Sequence, residues 1–98
     1  MQQNVYTLAL LTAKEGCVDS MLAKLESLAN ATRKEHGCIE YGFYRDNEDS
    51  NRVISFERWV DQAAEDAHWE TPHLKQALAA LDDLLSAEPV IIKAQKVI

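Results

Sequence analysis

Residues 5–13 carry apolar side chains on both alternating sets: Val5, Ala9 and Leu11 on one, Tyr6, Leu8 and Leu10 on the other. This pattern predicts a strand covered on both sides. Lys14-Glu15-Gly16 reads as a turn. Over residues 17–36 the period becomes helical, with Val18, Met21, Leu22, Leu25, Leu28, Ala29 and Thr32 on one stripe. Arg33, Lys34 and His36 suit the carboxyl end of that helix's dipole, and Gly37 suits a left-handed cap. Alternation returns over residues 38–45, where Ile39, Tyr41 and Phe43 share one face and Glu40, Gly42 and Tyr44 the other.

The run Asp46-Asn47-Glu48-Asp49-Ser50-Asn51 consists of turn formers. It lacks the central Gly and closing Glu of a calcium loop, so it reads as a solvated hairpin loop. Residues 52–60 form a third expected strand, with Val53, Ser55, Glu57 and Trp59 on one face and Ile54, Phe56, Arg58 and Val60 on the other. Asp61 is placed to cap a short helix with Ala63, Ala64 and Ala67 in its interior. Thr71 then caps another helix, with Pro72 at its first position. Leu74, Ala77, Leu78, Leu81 and Leu85 supply that helix's core stripe, Glu88-Pro89 ends it, and residues 90–98 close the chain as a strand.

The element order β-α-β-β-α-β predicts an α+β, ferredoxin-like domain with one four-stranded antiparallel sheet, spanning residues 1–98. The helices can cover only one face of such a sheet. The first and second strands nevertheless carry apolar or aromatic residues on both faces. A second copy packed sheet to sheet would cover the remaining face, so a homodimer is expected.

Composition narrows the class. The hydrophobic share of 47% and charged share of 27% are those of a globular protein. A net charge of −6 does not attract a phosphate backbone, so nucleic acid is not an expected partner. No apolar run reaches the ~20 residues of a membrane helix. The first residues lack the basic region and cleavage site of a signal peptide, so a cytoplasmic location is expected. The two cysteines, Cys17 and Cys38, have no CxxC spacing and read as reduced thiols. Cys17 lies near a helix start, where a thiolate is favoured; the plainer reading is a small packed side chain.

Candidate chemistry gathers between Ile54 and His73, which hold both tryptophans and two of the three histidines. His73 is expected at the second position of a helix, where the dipole disfavours the imidazolium and leaves a neutral acid–base group. The alternative is a ring packed beside Pro72. His68 is expected on or beside the alanine face of its helix, as a base or as a half-buried ring bonded to a carbonyl. Glu57 on an inward face needs a partner, and His68 or Arg52 could supply it. Glu57 would then orient the His68 imidazole. Tyr41, Phe43 and Trp59 read as core aromatics or as walls of a flat aromatic ligand's site. A spacing of five between the histidines is not that of a helical zinc motif, and no metal site is expected. No phosphate loop, dinucleotide fingerprint or nucleophile elbow is present, so no cofactor is expected.

Three motifs carry a family resemblance: EHGCIEY at 35–41, FERW at 56–59 and AHWETPH at 67–73. Together they resemble the antibiotic biosynthesis monooxygenase (ABM) domain family. The resemblance implies a ferredoxin-like dimer whose sheets form an α+β barrel. It also implies one of three activities: cofactor-independent oxidation of quinols or anthrones by molecular oxygen, heme degradation, or isomerisation of a phosphorylated sugar. The heme-degrading branch uses an Asn on the first strand, where this chain has Ala9, and a Trp on the second helix that is replaced here around His68. The Thr-Pro-His motif is closer to the quinol and isomerase branches. The resemblance therefore implies a small aromatic substrate and molecular oxygen, with His68 as first base, His73 as second, Glu57 as orienter, and Tyr41, Trp59 and Phe43 lining the pocket. An isomerase of a small phosphorylated metabolite and a non-enzymatic ligand-binding dimer are the competing readings.

Overall fold

The computed structural model describes residues 3–98; Met1 and Gln2 of the expected 1–98 domain lie outside the described residues. The elements run β1 (Val5–Thr12), α1 (Val18–Thr32), β2 (Cys38–Arg45), β3 (Arg52–Trp59), α2 (Gln62–Trp69), α3 (Pro72–Leu81) and β4 (Val90–Ala94). One antiparallel sheet has the order β2-β3-β1-β4. This is the expected α+β, ferredoxin-like arrangement, with the second helical segment made of α2 and α3.

The helices cover one sheet face. Strand alternation sends Val53, Ser55, Glu57 and Trp59 of β3 into that layer, all buried. They meet Met21, Leu25 and Leu28 from the stripe of α1. The opposite face stays apolar and open. Tyr44 and Phe56 pack edge to face there at 5.1 Å and are both exposed, as are Val90 and Ile92 of β4.

Several boundaries differ from the expectation. α1 ends at Thr32, four residues before His36, so His36 and Gly37 are not its cap. The chain instead turns through residues 33–37, with the Glu35 N–H donating to the Thr32 carbonyl and Cys38 N–H to the Glu35 carbonyl. Gly37 has φ +91, and a Cβ there would lie 2.6 Å from the Ala64 Cβ. Glycine is thus required twice, by backbone conformation and by the approach of α2. Ile39 leaves the face of Tyr41 and Phe43, because the β2–β3 register shifts between Cys38 and Glu40.

Asp61 and Thr71 cap α2 and α3 as expected, accepting from Ala64 N–H and Leu74 N–H. Of the alanines expected inside α2, Ala64 packs against the core while Ala63 and Ala67 are exposed, and Glu65 and His68 are buried. α3 stops at Leu81 rather than at Glu88. The backbone after it is drawn to the end of β1 instead: Leu85 bridges Ala13, and the Ser86 N–H donates to the Thr12 carbonyl. β4 ends at Ala94 rather than at residue 98, its last pairing being with Tyr6 near the start of β1. Among the described residues no helix is long and apolar enough to cross a membrane.

Candidate active site

Between the helices and the sheet lies a narrow, partly open cavity of about 40 Å³. Its walls are aliphatic and aromatic, from Ala9, Leu11, Leu28, Phe43, Trp69 and Leu74 among others. Three polar side chains interrupt them: Tyr41, Glu57 and His68. Leu78 and Ile91 line the cavity and are also exposed, so they form its mouth. This volume takes a diatomic gas or a water molecule. An aromatic molecule requires the mouth to open.

Glu57 reaches this wall because β3 alternation points it inward. Its Oε2 accepts from Ser55 Oγ at 2.8 Å and its Oε1 from Trp59 Nε1 at 3.2 Å. Burial raises its pKa from the usual carboxylate range to about 7; the bonds from Ser55 and Trp59 oppose the rise, and the Glu65 and Glu35 carboxylates add to it. Near neutral pH the group is therefore divided between acid and base forms. The folded protein binds this proton more tightly than the unfolded chain does. The resulting stabilisation is complete below about pH 4.5 and is lost as pH rises through 7, a change of about 3 kcal/mol. His68 acts in the opposite sense, because its lowered folded pKa removes stability as pH falls below 6.5. Urea unfolding of the wild type and Glu57→Gln from pH 4 to 8 isolates the carboxyl: stability of the variant relative to the wild type should increase across this range.

His68 is 2% exposed and lies against the Trp59 ring, centroids 4.7 Å apart and planes tilted by 36°. Tyr41 meets it edge-on at 5.5 Å. Burial lowers its pKa, against the opposing effect of Glu35, so the imidazole is neutral at neutral pH. Burial and then the Glu57 carboxylate push the Tyr41 phenol well above its ordinary value, so it keeps its proton and can donate it in a hydrogen bond. Burial, with Glu35 and Glu57, likewise pushes the Cys38 thiol up to about 11 and keeps it unreactive.

The expected partner of His68 is corrected. Glu57 bonds neither His68 nor Arg52; alternation puts Arg52 on the other sheet face, where it pairs with Asp46 and Asp49 of the hairpin loop. The carboxylate at His68 is Glu35, from the turn after α1. Its Oε2 lies 2.7 Å from His68 Nδ1 and 2.6 Å from His73 Nε2. His73 occupies the expected second position of α3 but does not reach the cavity. It borders an open groove between α1 and α3, beside Lys24 and Gln76. Trp59 is also absent from the cavity wall; it is fully buried behind His68. Tyr41 and Phe43 do line the cavity.

Glu35, His68 and His73 place three donor atoms within 4.8 Å of one another, and these residue types could also hold a metal ion. Both imidazole contacts, however, run to one oxygen at hydrogen-bond distance. A second buried carboxylate, Glu65, accepts from Trp69 Nε1 at 2.6 Å, Thr7 Oγ1 at 3.3 Å and Lys93 Nζ at 3.3 Å, tying α2 to β1 and β4. Neither Glu35 nor Glu65 is singled out by sequence pattern. Glu35 lies within the EHGCIEY motif, which was the available signal.

The family model described as "Antibiotic biosynthesis monooxygenase" matches residues 4–80. The protein sll1783 of Synechocystis, which has no assigned function, is 35% identical over 79 residues; these are 81% of this chain and 53% of that protein, so the chain spans about half of its length. YcnE of Bacillus subtilis, provisionally named a monooxygenase, is 29% identical over 77 residues, covering 79% of this chain and 81% of YcnE. The crystal structure of a conserved protein from Methanosarcina mazei superposes with a TM-score of 0.92 at 28% identity, over 97% of this chain and 94% of that one. The chain belongs to the antibiotic biosynthesis monooxygenase family.

Proposed function

We propose that the protein is a cofactor-independent monooxygenase that oxidises a quinol, anthrone or similar electron-rich aromatic with molecular oxygen. The observation that supports this reading is the cavity itself: a largely apolar pocket holding a neutral imidazole and a carboxyl poised near neutral pH. His68 is the first candidate base and Glu57 the second within the same walls.

With no separate reductant, the substrate supplies every electron. At an anthrone CH₂ the base takes one proton, and the carbanion passes electrons to oxygen. A C–O bond forms, giving a peroxide that takes the proton back. The O–O bond then breaks as the second C–H proton leaves. One oxygen atom remains as the carbonyl and the other departs as water, so four electrons leave carbon and four reach oxygen. A quinol gives a hydroxyquinone and water by the same balance. A dry site favours this route because water would protonate the anion before oxygen captured it.

The cavity wall contains no Lys or Arg, which disfavours the phosphorylated-metabolite alternative. Its test is an oxygen electrode with a panel of quinols and anthrones. Uptake above the spontaneous rate supports the reading; no uptake with any member removes it.

The open sheet face, where Tyr44, Phe56, Val90 and Ile92 are exposed together, supports the further proposal of a homodimer. Static light scattering at micromolar concentration should give twice the monomer mass, and a stable monomer would contradict it. The free thiols Cys17 and Cys38 suit the reducing cytoplasm.

A further inference from the structure

We infer that Glu35 is the positioning residue of the cavity base: it holds His68 in the tautomer whose free Nε2 faces the cavity, and His73 anchors Glu35 rather than serving as a second base. This rests on the reading of His68 as base.

Glu35 Oε2 lies 2.7 Å from His68 Nδ1. A carboxylate oxygen accepts, so Nδ1 carries the hydrogen and Nε2 keeps its lone pair. Among the described residues, Thr32 Oγ1 is the sealed side-chain atom that lacks a hydrogen bond. Nε2 has no side-chain hydrogen bond among the described residues, and the ring it belongs to lines the cavity. When Nε2 takes a proton, the imidazolium stands against the Glu35 carboxylate, which stabilises it where water cannot.

His73 donates from Nε2 to the same oxygen at 2.6 Å. Exposure rises outward along the chain of contacts, from 2% at His68 to 12% at Glu35 and 28% at His73. His73 therefore sits on the solvent side and fixes the carboxylate from behind. The other titratable groups that face His68 are Glu65 from its own helix, Tyr41 from β2 and Glu57 from β3. None of them is recorded bonding Nδ1.

The test has two independent readouts. Long-range ¹H–¹⁵N NMR of histidine-labelled wild type at neutral pH should show His68 as the Nδ1–H tautomer. An Nε2–H tautomer would overturn the assignment. This measurement requires neither a variant nor a substrate, so it decides the point even if no oxidation is found.

Kinetics give the second readout. Glu35→Gln should lower kcat on the order of tenfold to a hundredfold, part of what a general base contributes, with KM little changed. The acid limb of its kcat profile should move to lower pH, because the charge that raised the basicity of His68 is gone. His73→Ala should lower kcat to a smaller extent. A Glu35→Gln profile identical to wild type would overturn the role. So would stoichiometric Zn²⁺ binding by the wild type that is lost in Glu35→Gln and His68→Ala, since the three residues would then be a metal site.

Discussion

In His68→Ala, oxygen uptake with an anthrone or quinol should fall about 10²–10⁴-fold, the usual contribution of a positioned general base. The side chain is buried in the cavity wall, and its lowered pKa keeps it a free base at neutral pH. Removing the ring also enlarges the cavity and uncovers one face of Trp59, so alanine alone conflates chemistry with packing. His68→Gln fills more of the space and keeps a hydrogen-bonding end, but cannot accept a proton at neutral pH. Equal losses in both variants assign the loss to basicity. Recovery of His68→Ala by added imidazole would support the same conclusion. If Glu57→Gln carries the large loss and His68→Gln does not, the carboxyl is the base instead.

Trp59→Ala should destabilise the fold by about 3–5 kcal/mol, the range for deleting a buried aromatic. Trp59 is fully buried, meets Tyr41 at 6.3 Å and His68 at 4.7 Å, and donates to Glu57. A domain of this size has about 5–15 kcal/mol in total, so much of its stability goes with one side chain. Urea unfolding at pH 7 measures the loss. Trp59→Phe keeps most of the packing and removes the N–H donor. It should unfold far less readily than the alanine variant, and it should raise the Glu57 pKa further, because that hydrogen bond holds it down. A loss under about 1 kcal/mol in Trp59→Ala would mean that the indole is not the centre of this packing.

The fold was largely legible because its signals are local. Period-2 alternation in β3 placed Ser55, Glu57 and Trp59 on one inward face, and the caps at Asp61 and Thr71 placed the starts of α2 and α3. What escaped depends on tertiary contacts. Leu85 continues the helical stripe of α3, yet backbone pairing with Ala13 removes it from the helix. Ala63 and Ala67 are small enough for a core but lie on the solvent side of α2, because the face of Glu65 and His68 is the one turned inward.

The same division holds for the site. His68, Glu57, Tyr41 and Phe43 were identifiable as rare or inward residues, and all four line the cavity. Glu35 was not, because a carboxylate in a polar turn looks like any solvated charge. The positive φ of Gly37, the close approach of Ala64 and the bond from Val60 N–H to the Gly37 carbonyl hold that turn against α2, contacts that no local pattern announces. Trp59 was drawn toward the pocket by its type, but strand geometry puts it one layer behind His68.

The most direct measurement of the central claim is the fate of ¹⁸O₂ in a single reaction of the wild type with an anthrone or quinol that it oxidises. One molecule of oxygen should be consumed per substrate, one ¹⁸O atom should enter the quinone product, and no added reductant should be required. Product carrying no ¹⁸O, or oxidation that proceeds equally without the protein, would contradict that claim.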